Sequence, residues 1–384
     1  MTRLDYRIAS TVLRALGWLF GLLPPRRDTV VLASPRKRAL DGNLLAIRDE
    51  IRARRPGIRI VELAETYGYG LRGKLAYAVR MFRAMYHLRT APLVVVDNAW
   101  LPVHVSPHPP RTTVVQVWHA VGALKRFGVD TVPPPQEPER WFLHRHYDWV
   151  VSSGEASREP WSRAFRTPLD RVLALGSPRT DMLVDADALA AARERVLRRH
   201  PVLRDRRVIT YAPTFRGRGR GKRPPPGLDA PRLRAALEAS DALVLKSHPN
   251  LDARLVDTGG FDVVVDPADD MNDVLAATDI LITDYSSSIF EYALLRRPLV
   301  LLVPDLEEYA KEPGMYLRYA TDMIGAQVAD TDAVVAAIRG GSFDLAAYEP
   351  FIARHLGAAD GRATERFVKR FLPAPGRREA SPAD

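Results

Sequence analysis

Short runs rich in β-branched residues alternate with helix-sized segments along most of the chain, and this alternation most constrains what it can fold into. "TVVLAS" (29–34), "IRIVELA" (58–64), "LVVVDN" (93–98), "TVVQVWH" (113–119) and "WVVSSG" (149–154) form a first set. A second set follows: "RVITYAPTF" (207–215), "ALVLKSHPN" (242–250), "FDVVVD" (261–266), "DILITDYSS" (279–287) and "PLVLLVPD" (298–305). Near-continuous apolar runs suit strands buried on both faces, as in parallel sheets. Strand–helix alternation on this scale predicts an α/β chain of two doubly wound, Rossmann-like domains. The charged stretch "DADALAAARERVLRRHPVLRDRR" (185–207) separates the sets. The expected domains are therefore 28–185 and 186–345, preceded by a helix within 1–27. Residues 346–384 are expected to hold a last helix and a disordered tail, "PAPGRREASPAD" (373–384).

The N-terminal segment is amphipathic. Its apolar stretch, Val12 to Leu23, is broken by Arg14 and is too short for a bilayer span, which takes about 20 apolar residues. Leu16, Leu19, Phe20 and Leu23 share its apolar side, with Trp18 and Phe20 suited to the headgroup zone and Arg14, Arg26 and Arg27 outside it. Such a helix lies on a membrane surface or packs on the protein's own core; the flanking arginines favour the membrane. A second basic stretch, 71–89, puts Arg80, Arg83 and His87 on one helical face and Leu75, Ala78, Phe82 and Met85 on another. The chain's 56 Lys+Arg against 46 Asp+Glu leave a net charge of +10, which favours anionic partners such as acidic lipid or phosphorylated substrates. Nucleic acid is not expected, because no recognition motif or aromatic strand platform accompanies the charge. There are no cysteines, so disulfides and thiolate metal sites are excluded. "FRGRGRGKRPPPG" (215–227) reads as a flexible basic loop.

Ligands of open parallel sheets sit at the carboxyl ends of the strands, at a crevice, so chemistry is sought there. His119 ends one strand of the first set, before the turn at Gly122 and the cations Lys125 and Arg126. An imidazole so placed can take a proton from a hydroxyl, or serve only the structure. In the second set, strand ends carry Thr214 and Arg216; Lys246, Ser247 and His248; and Thr283, Asp284, Ser286, Ser287 and Ser288. Serine hydroxyls and free N–H groups at a helix start can cradle phosphate, or merely cap the helix. Glu291, on that same helix, can accept hydrogen bonds from ribose hydroxyls. No G-x-x-x-x-G-K-[ST] is present, nor a G-x-G-x-x-G after the first strand, which argues against a P-loop enzyme and an ordinary dehydrogenase. "DAD" (185–187) and "DDMND" (269–273) read as acidic helix starts, so no protein-bound metal cage is expected.

Taken in order, "QVWHAVGALKRFG" (116–128), "GSPRTDML" (176–183), "TYAPTFRG" (210–217), "KSHPN" (246–250) and "DILITDYSSSIFEYALLRRPLVLLVPDLEEY" (279–309) resemble the CDP-glycerol glycerophosphotransferases of teichoic-acid synthesis, with "DGNLLAI" (41–47) a weaker element. The resemblance covers about residues 35–345 and implies a two-domain GT-B fold. It also implies transfer of glycerol phosphate, or a related polyol phosphate, from CDP-glycerol to a hydroxyl of a lipid-linked, undecaprenyl-type acceptor. That reaction releases CMP, needs no cofactor and takes place at the cytoplasmic face of the membrane. By the same resemblance His119 is the base, with Ala120 where the family has glycine, and His248 is its counterpart in the second domain. Thr283, Asp284, Ser286 and Ser287 fall near the pyrophosphate, with Lys246, Thr214, Arg216 and Glu291 on the donor side. Lys125, Arg126 and Arg179 fall on the acceptor side. A glycosyltransferase using a nucleotide sugar shares this fold and stands as the alternative; UDP release in place of CMP would distinguish it. A membrane-associated binding protein would bind nucleotide without turnover.

Overall fold

The computed structural model describes residues 3–35, 38–64, 70–217, 221–249 and 251–372. They fall into two compact units, one of Met1–His119, Phe127–Asp181 and Ala358–Asp384, the other of Ala120–Arg126 and Met182–Gly357. The tail 373–384 and part of the basic loop lie outside the described residues.

The first unit is built on six parallel strands: β1 (Thr29–Ser34), β2 (Arg59–Ala64), β3 (Leu93–Val96), β4 (Thr113–Gln116), β5 (Trp149–Val151) and β6 (Val172–Leu173). Their order is β2-β1-β3-β4-β5-β6. Successive side chains of a strand point to opposite faces, and here both sets are buried. Val30, Leu32, Val95 and Val115 meet Leu44, Ile47 and Ile51 of one helix and Phe367 and Val368 of the C-terminal helix Ala363–Phe371. Val31, Val94, Val96 and Val114 are equally buried on the other face. The second unit repeats the plan with β7 (Arg207–Tyr211), β8 (Asp241–Lys246), β9 (Val263–Val265), β10 (Ile280–Thr283), β11 (Leu299–Leu302) and β12 (Ala326–Val328), in the order β12-β11-β10-β7-β8-β9. Ile209, Leu243, Ile282 and Val300 pack on one side of this sheet; Val208, Ala242 and Val244 pack on the other. The alternation in the sequence thus produces two doubly wound sheets. It did not reveal β6 or β12, edge strands of two and three residues that are too short to form an apolar run.

The helices of the first unit include α1 (Arg3–Gly21), α2 (Gly42–Arg54) and α3 (Gly70–Thr90). Helix α1 is present as expected, but its faces are divided differently. Ser10, Leu13, Gly17 and Phe20 are buried, and Phe20 sets its ring edge-on to Phe82 and Tyr86 of α3 at 4.8 and 5.5 Å. Phe20 is therefore a packing residue, not a headgroup one. Arg14 donates to the Val105 carbonyl at 2.9 Å, so its charge serves the helix contact. Gly17 permits close approach, since a Cβ there would lie 2.9 Å from both Met85 and Ser106. The outward residues of α1 include the apolar Leu4, Ile8, Val12, Trp18 and Leu19, followed by Leu22 and Leu23, beside the exposed Arg3, Asp5, Arg7 and Thr11. On α3, Leu75, Val79 and Phe82 are exposed. Met85 turns inward instead, as does His87, whose pKa is pushed down to about 4 by burial and by Arg83, Arg26 and Arg59. No helix among the described residues is long and apolar enough to cross a membrane.

Candidate active site

In the first unit the site is built where β4 ends. Val117 still donates to the Val96 carbonyl, but Trp118 turns left-handed at φ 50°, a conformation that an L-residue with a bulky side chain seldom adopts. Three hydrogen bonds hold the turn. The Gln116 side-chain oxygen accepts from the Trp118 N–H at 2.8 Å, and the Asn43 amide donates to the carbonyls of Val117 and Trp118 at 3.1 and 2.9 Å. The Trp118 ring is stacked on Phe127 at 5.1 Å. The turn delivers His119, half-buried, with Nδ1 3.3 Å from the Asp97 carbonyl. A carbonyl can only accept, so this contact places the proton on Nδ1 and makes Nε2 the accepting nitrogen of the neutral ring. Arg179 joins this cluster: its backbone N–H donates to Asn43 at 2.9 Å and its guanidinium to the His119 carbonyl at 3.1 Å. The guanidinium lies over Gly42, where a Cβ would come within 3.3 Å. Asn43 was not legible as a site residue. It opens α2 beside Asp41, where an Asn reads as an ordinary helix start. A cavity of about 190 Å³, lined in part by Ser34, Tyr77, Arg80, Met81 and Trp100, lies at the carboxyl ends of β1 and β2, with Trp100 from the stretch after β3.

In the second unit the strand order reverses between β7 and β10, and loops leaving such strands diverge to open a ligand position. Thr214 follows β7 and Asp284 follows β10. The Asp284 carboxylate accepts from the Thr214 backbone N–H at 2.8 Å and hydroxyl at 2.9 Å. Arg216 completes the group: it donates to Asp284 at 2.8 Å and forks onto Asp305 at 2.6 and 3.1 Å. Its guanidinium also lies 4.9 and 4.7 Å from the ring centres of Tyr285 and Tyr309, which are stacked on each other at 3.9 Å. Burial acts to lower the Arg216 pKa, but the two carboxylates outweigh it and the net shift is upward. Asp305 is held below the usual carboxylate range: burial opposes this, and Arg216 and the Tyr285 hydroxyl prevail. Thr283 ties the same strands together, its hydroxyl donating to the Ala212 carbonyl at 2.6 Å. Lys125 belongs to this unit and donates to the Tyr309 hydroxyl at 3.1 Å. Arg126 pairs by backbone with Gly314 and lies over the Tyr316 ring at 5.8 Å. Gly122 packs so closely on Phe290 that a Cβ would meet the ring at 2.6 Å.

The remaining expected residues are distributed less simply. His248 is half-buried, edge-on to Phe215 at 4.9 Å, and borders a cavity of about 470 Å³ that Tyr211, Thr214, Leu245, Ser247 and Phe261 also line. Ser286 and Ser287 are half-buried; the Ser286 oxygen accepts from the Ser288 N–H at 3.2 Å and hydroxyl at 2.8 Å. The helix they precede, Ser288–Ala293, has six residues, so its dipole adds little to any phosphate field. Glu291 is 3% exposed within that helix. Lys246 is buried, and its ammonium donates to the carbonyls of Asp266, Pro267 and Asp269 at 2.7, 3.0 and 2.9 Å. Those three bonds match the three protons an ammonium has, so Lys246 holds the loop after β9. Asp185 and Asp270 cap the helices that follow them, and Asp273 pairs with Arg195 at 2.6 Å. The structure thus brings together His119 with Arg179, and Thr214 with Arg216, Asp284 and, through Tyr309, Lys125.

Comparison with known proteins agrees with these motifs. Residues 19–372 match the family described as CDP-glycerol:poly(glycerophosphate) glycerophosphotransferase. The chain is 33% identical to a teichoic acid ribitol-phosphate primase of Bacillus spizizenii, covering 97% of this chain and 98% of the relative. It is 29% identical to a teichoic acid poly(ribitol-phosphate) polymerase of the same organism, but spans 58% of that protein's length. A solved wall teichoic acid polymerase shares the fold, with a TM-score of 0.74 at 20% identity over 97% of this chain and 98% of that one.

Proposed function

Since the chain belongs to the CDP-glycerol:poly(glycerophosphate) glycerophosphotransferase family, we propose that it transfers a polyol phosphate from a CDP-polyol to a hydroxyl of a lipid-linked acceptor. It is an enzyme of teichoic-acid-type polymer synthesis. One observation carries this reading: the family match runs through both the His119 turn and the cavity bordered by His248. Ribitol is the first polyol to test, because the primase that matches nearly end to end uses ribitol phosphate. In the reaction an acceptor oxygen forms a bond to the polyol-bound phosphorus. The bond from that phosphorus to the bridging oxygen breaks, and CMP leaves with the electron pair.

Each half of this chemistry has a physical basis in the residues. His119 takes the acceptor's proton at Nε2; the Asp97 carbonyl orients the ring and favours the cation that forms. The cytidine is assigned to the 470 Å³ cavity, and the diphosphate to Ser286, Ser287 and His248. Arg216 and Asp284 act behind them by fixing Thr214 and the ends of β7 and β10. CMP departs through its own phosphate oxygen and is a good leaving group, so positioning and fixed charge should supply most of the acceleration. The acceptor head is assigned to the 190 Å³ cavity, with Arg80 on its rim. The enzyme acts at the cell membrane, held there by the outward apolar residues of α1 and α3 and by anionic headgroups.

The test is direct. Purified protein is incubated with a lipid-linked acceptor and, separately, CDP-ribitol, CDP-glycerol and a UDP-sugar. Acceptor-dependent CMP release from a CDP-polyol is expected, and His119→Ala should lower it by about 10²-fold or more with donor affinity little changed. UDP release in place of CMP would transfer the protein to the nucleotide-sugar enzymes.

A further inference from the structure

The core of the first unit contains a polar group that neither the fold nor the proposed reaction requires directly. Gln116, His104, His144 and Tyr147 are 0, 2, 2 and 8% exposed. Apolar residues of the same size would avoid the desolvation of every one of these groups. Burial keeps both imidazoles neutral, pushing His104 down to about 3 and His144 well below its ordinary value. The four are joined at one atom. The Tyr147 hydroxyl lies 3.0 Å from His104 Nε2, 3.1 Å from His144 Nδ1 and 3.0 Å from the Gln116 amide nitrogen, which donates to it.

Gln116 connects this group to the site. Its second amide proton goes to the Asn98 carbonyl at 3.2 Å, and its oxygen accepts from the Trp118 N–H at 2.8 Å. Trp118 is the left-handed residue that carries His119, and Asn98 adjoins Asp97, whose carbonyl receives His119 Nδ1. One side chain therefore holds both the backbone that presents the imidazole and the backbone that orients its ring. The amide orientation is unique: turned over, its oxygen would face the Asn98 carbonyl and its NH₂ the Trp118 N–H. A strained backbone of this kind persists only where its surroundings over-determine it.

We propose that Gln116, itself oriented by Tyr147, is the positioning residue for His119, holding the left-handed Trp118 turn so that the imidazole is aimed at the acceptor hydroxyl. The proposal rests on His119 being the base. Tyr147, His104 and His144 are its buried support, and none of them touches substrate.

The experiment is a double-mutant cycle of Gln116→Met with His119→Ala, read as acceptor-dependent CMP release from the CDP-polyol that wild type turns over. Gln116→Met alone should lower kcat by about 10- to 100-fold, the scale of a misplaced catalytic group, with the donor KM within about twofold. Added to His119→Ala, it should cause no further loss, because there is no imidazole left to aim. Multiplying losses would overturn the proposal, and so would a Gln116→Met enzyme of normal kcat. A His119→Ala enzyme of near-normal turnover would instead refute the base assignment. Should Gln116→Met fail to fold by circular dichroism, Tyr147→Phe takes its place in the cycle: it removes one hydroxyl, and the same non-additivity with a smaller single loss is required.

Discussion

Replacing Arg216 with leucine tests the centre of the second unit. The Arg216 side chain is 7% exposed, and it serves Asp284 and Asp305, which are 3% and 18% exposed. Arg216→Leu leaves both carboxylates without their cation. Removing one partner of a buried ion pair costs about 3–5 kcal/mol. Asp284 keeps its two bonds from Thr214 and Asp305 keeps the Tyr285 hydroxyl, so the loss should lie near the lower end, about 3 kcal/mol. Urea denaturation followed by circular dichroism measures it. The dependence on pH supplies a second reading. The Asp305 pKa is lowered in the folded protein, so its contribution is present above the unfolded value of about 3.9 and is lost as the pH falls through the lower folded value. The difference between wild type and Arg216→Leu should therefore be level from pH 5 to 8 and should shrink below about pH 4. A loss under about 1 kcal/mol at pH 7, or a gap that stays constant in acid, would refute the assignment of this network as a stabilising ion cluster.

Other expectations follow from the same geometry. Ser286→Ala combined with Ser287→Ala should weaken CDP-polyol binding by about 1–3 kcal/mol in calorimetric titration; unchanged affinity would move the diphosphate elsewhere. Gly122→Ala puts a Cβ against Phe290 at a φ of 68° and should destabilise the protein by about 2–5 kcal/mol in the same urea assay. His104, whose pKa is lowered to about 3, binds its proton more readily when unfolded. Stability should thus fall as the pH drops below about 6.5, and His104→Gln should flatten that slope by about 1.4 kcal/mol per pH unit. Trp18→Ser with Leu19→Glu changes only outward residues of α1, so it should lower co-sedimentation with anionic vesicles while leaving the melting temperature unchanged.

How much of this was legible depended on whether a residue's role is local. The strands could be read because a parallel sheet buried on both faces imposes its composition run by run, as in Thr29–Ser34. The ends of strands could be read for the same reason, and Thr214, Arg216 and Asp284 do converge. Their partner Asp305 could not be singled out, since it stands 89 residues from Arg216 and only the β7–β10–β11 adjacency brings it near. Lys246 shows the opposite case. A lysine at a strand end looks the same in sequence whether its ammonium meets a ligand or three carbonyls of the next loop. The face of α1 was ambiguous because Phe20 and Leu19 are equally apolar; Gly17, which lets the helix approach Met85, was the signal that settles which side turns inward.

The position of Phe367 and Val368 in the core of the first unit has a consequence for biosynthesis. These side chains close the layer over Leu44, Ile47 and Ile51, more than 300 residues earlier in the chain. A ribosome releases the amino-terminal sheet first, yet that sheet lacks part of its cover until Phe367 and Val368, which follow every strand of the second sheet, have been made. The second sheet has all its strands, β7 to β12, within one stretch, together with the earlier segment Ala120–Arg126. The later-made half is thus the one that can mature on emergence. The earlier-made half waits with apolar surface uncovered, which makes it the natural client of chaperones and the part most exposed to aggregation when synthesis stalls.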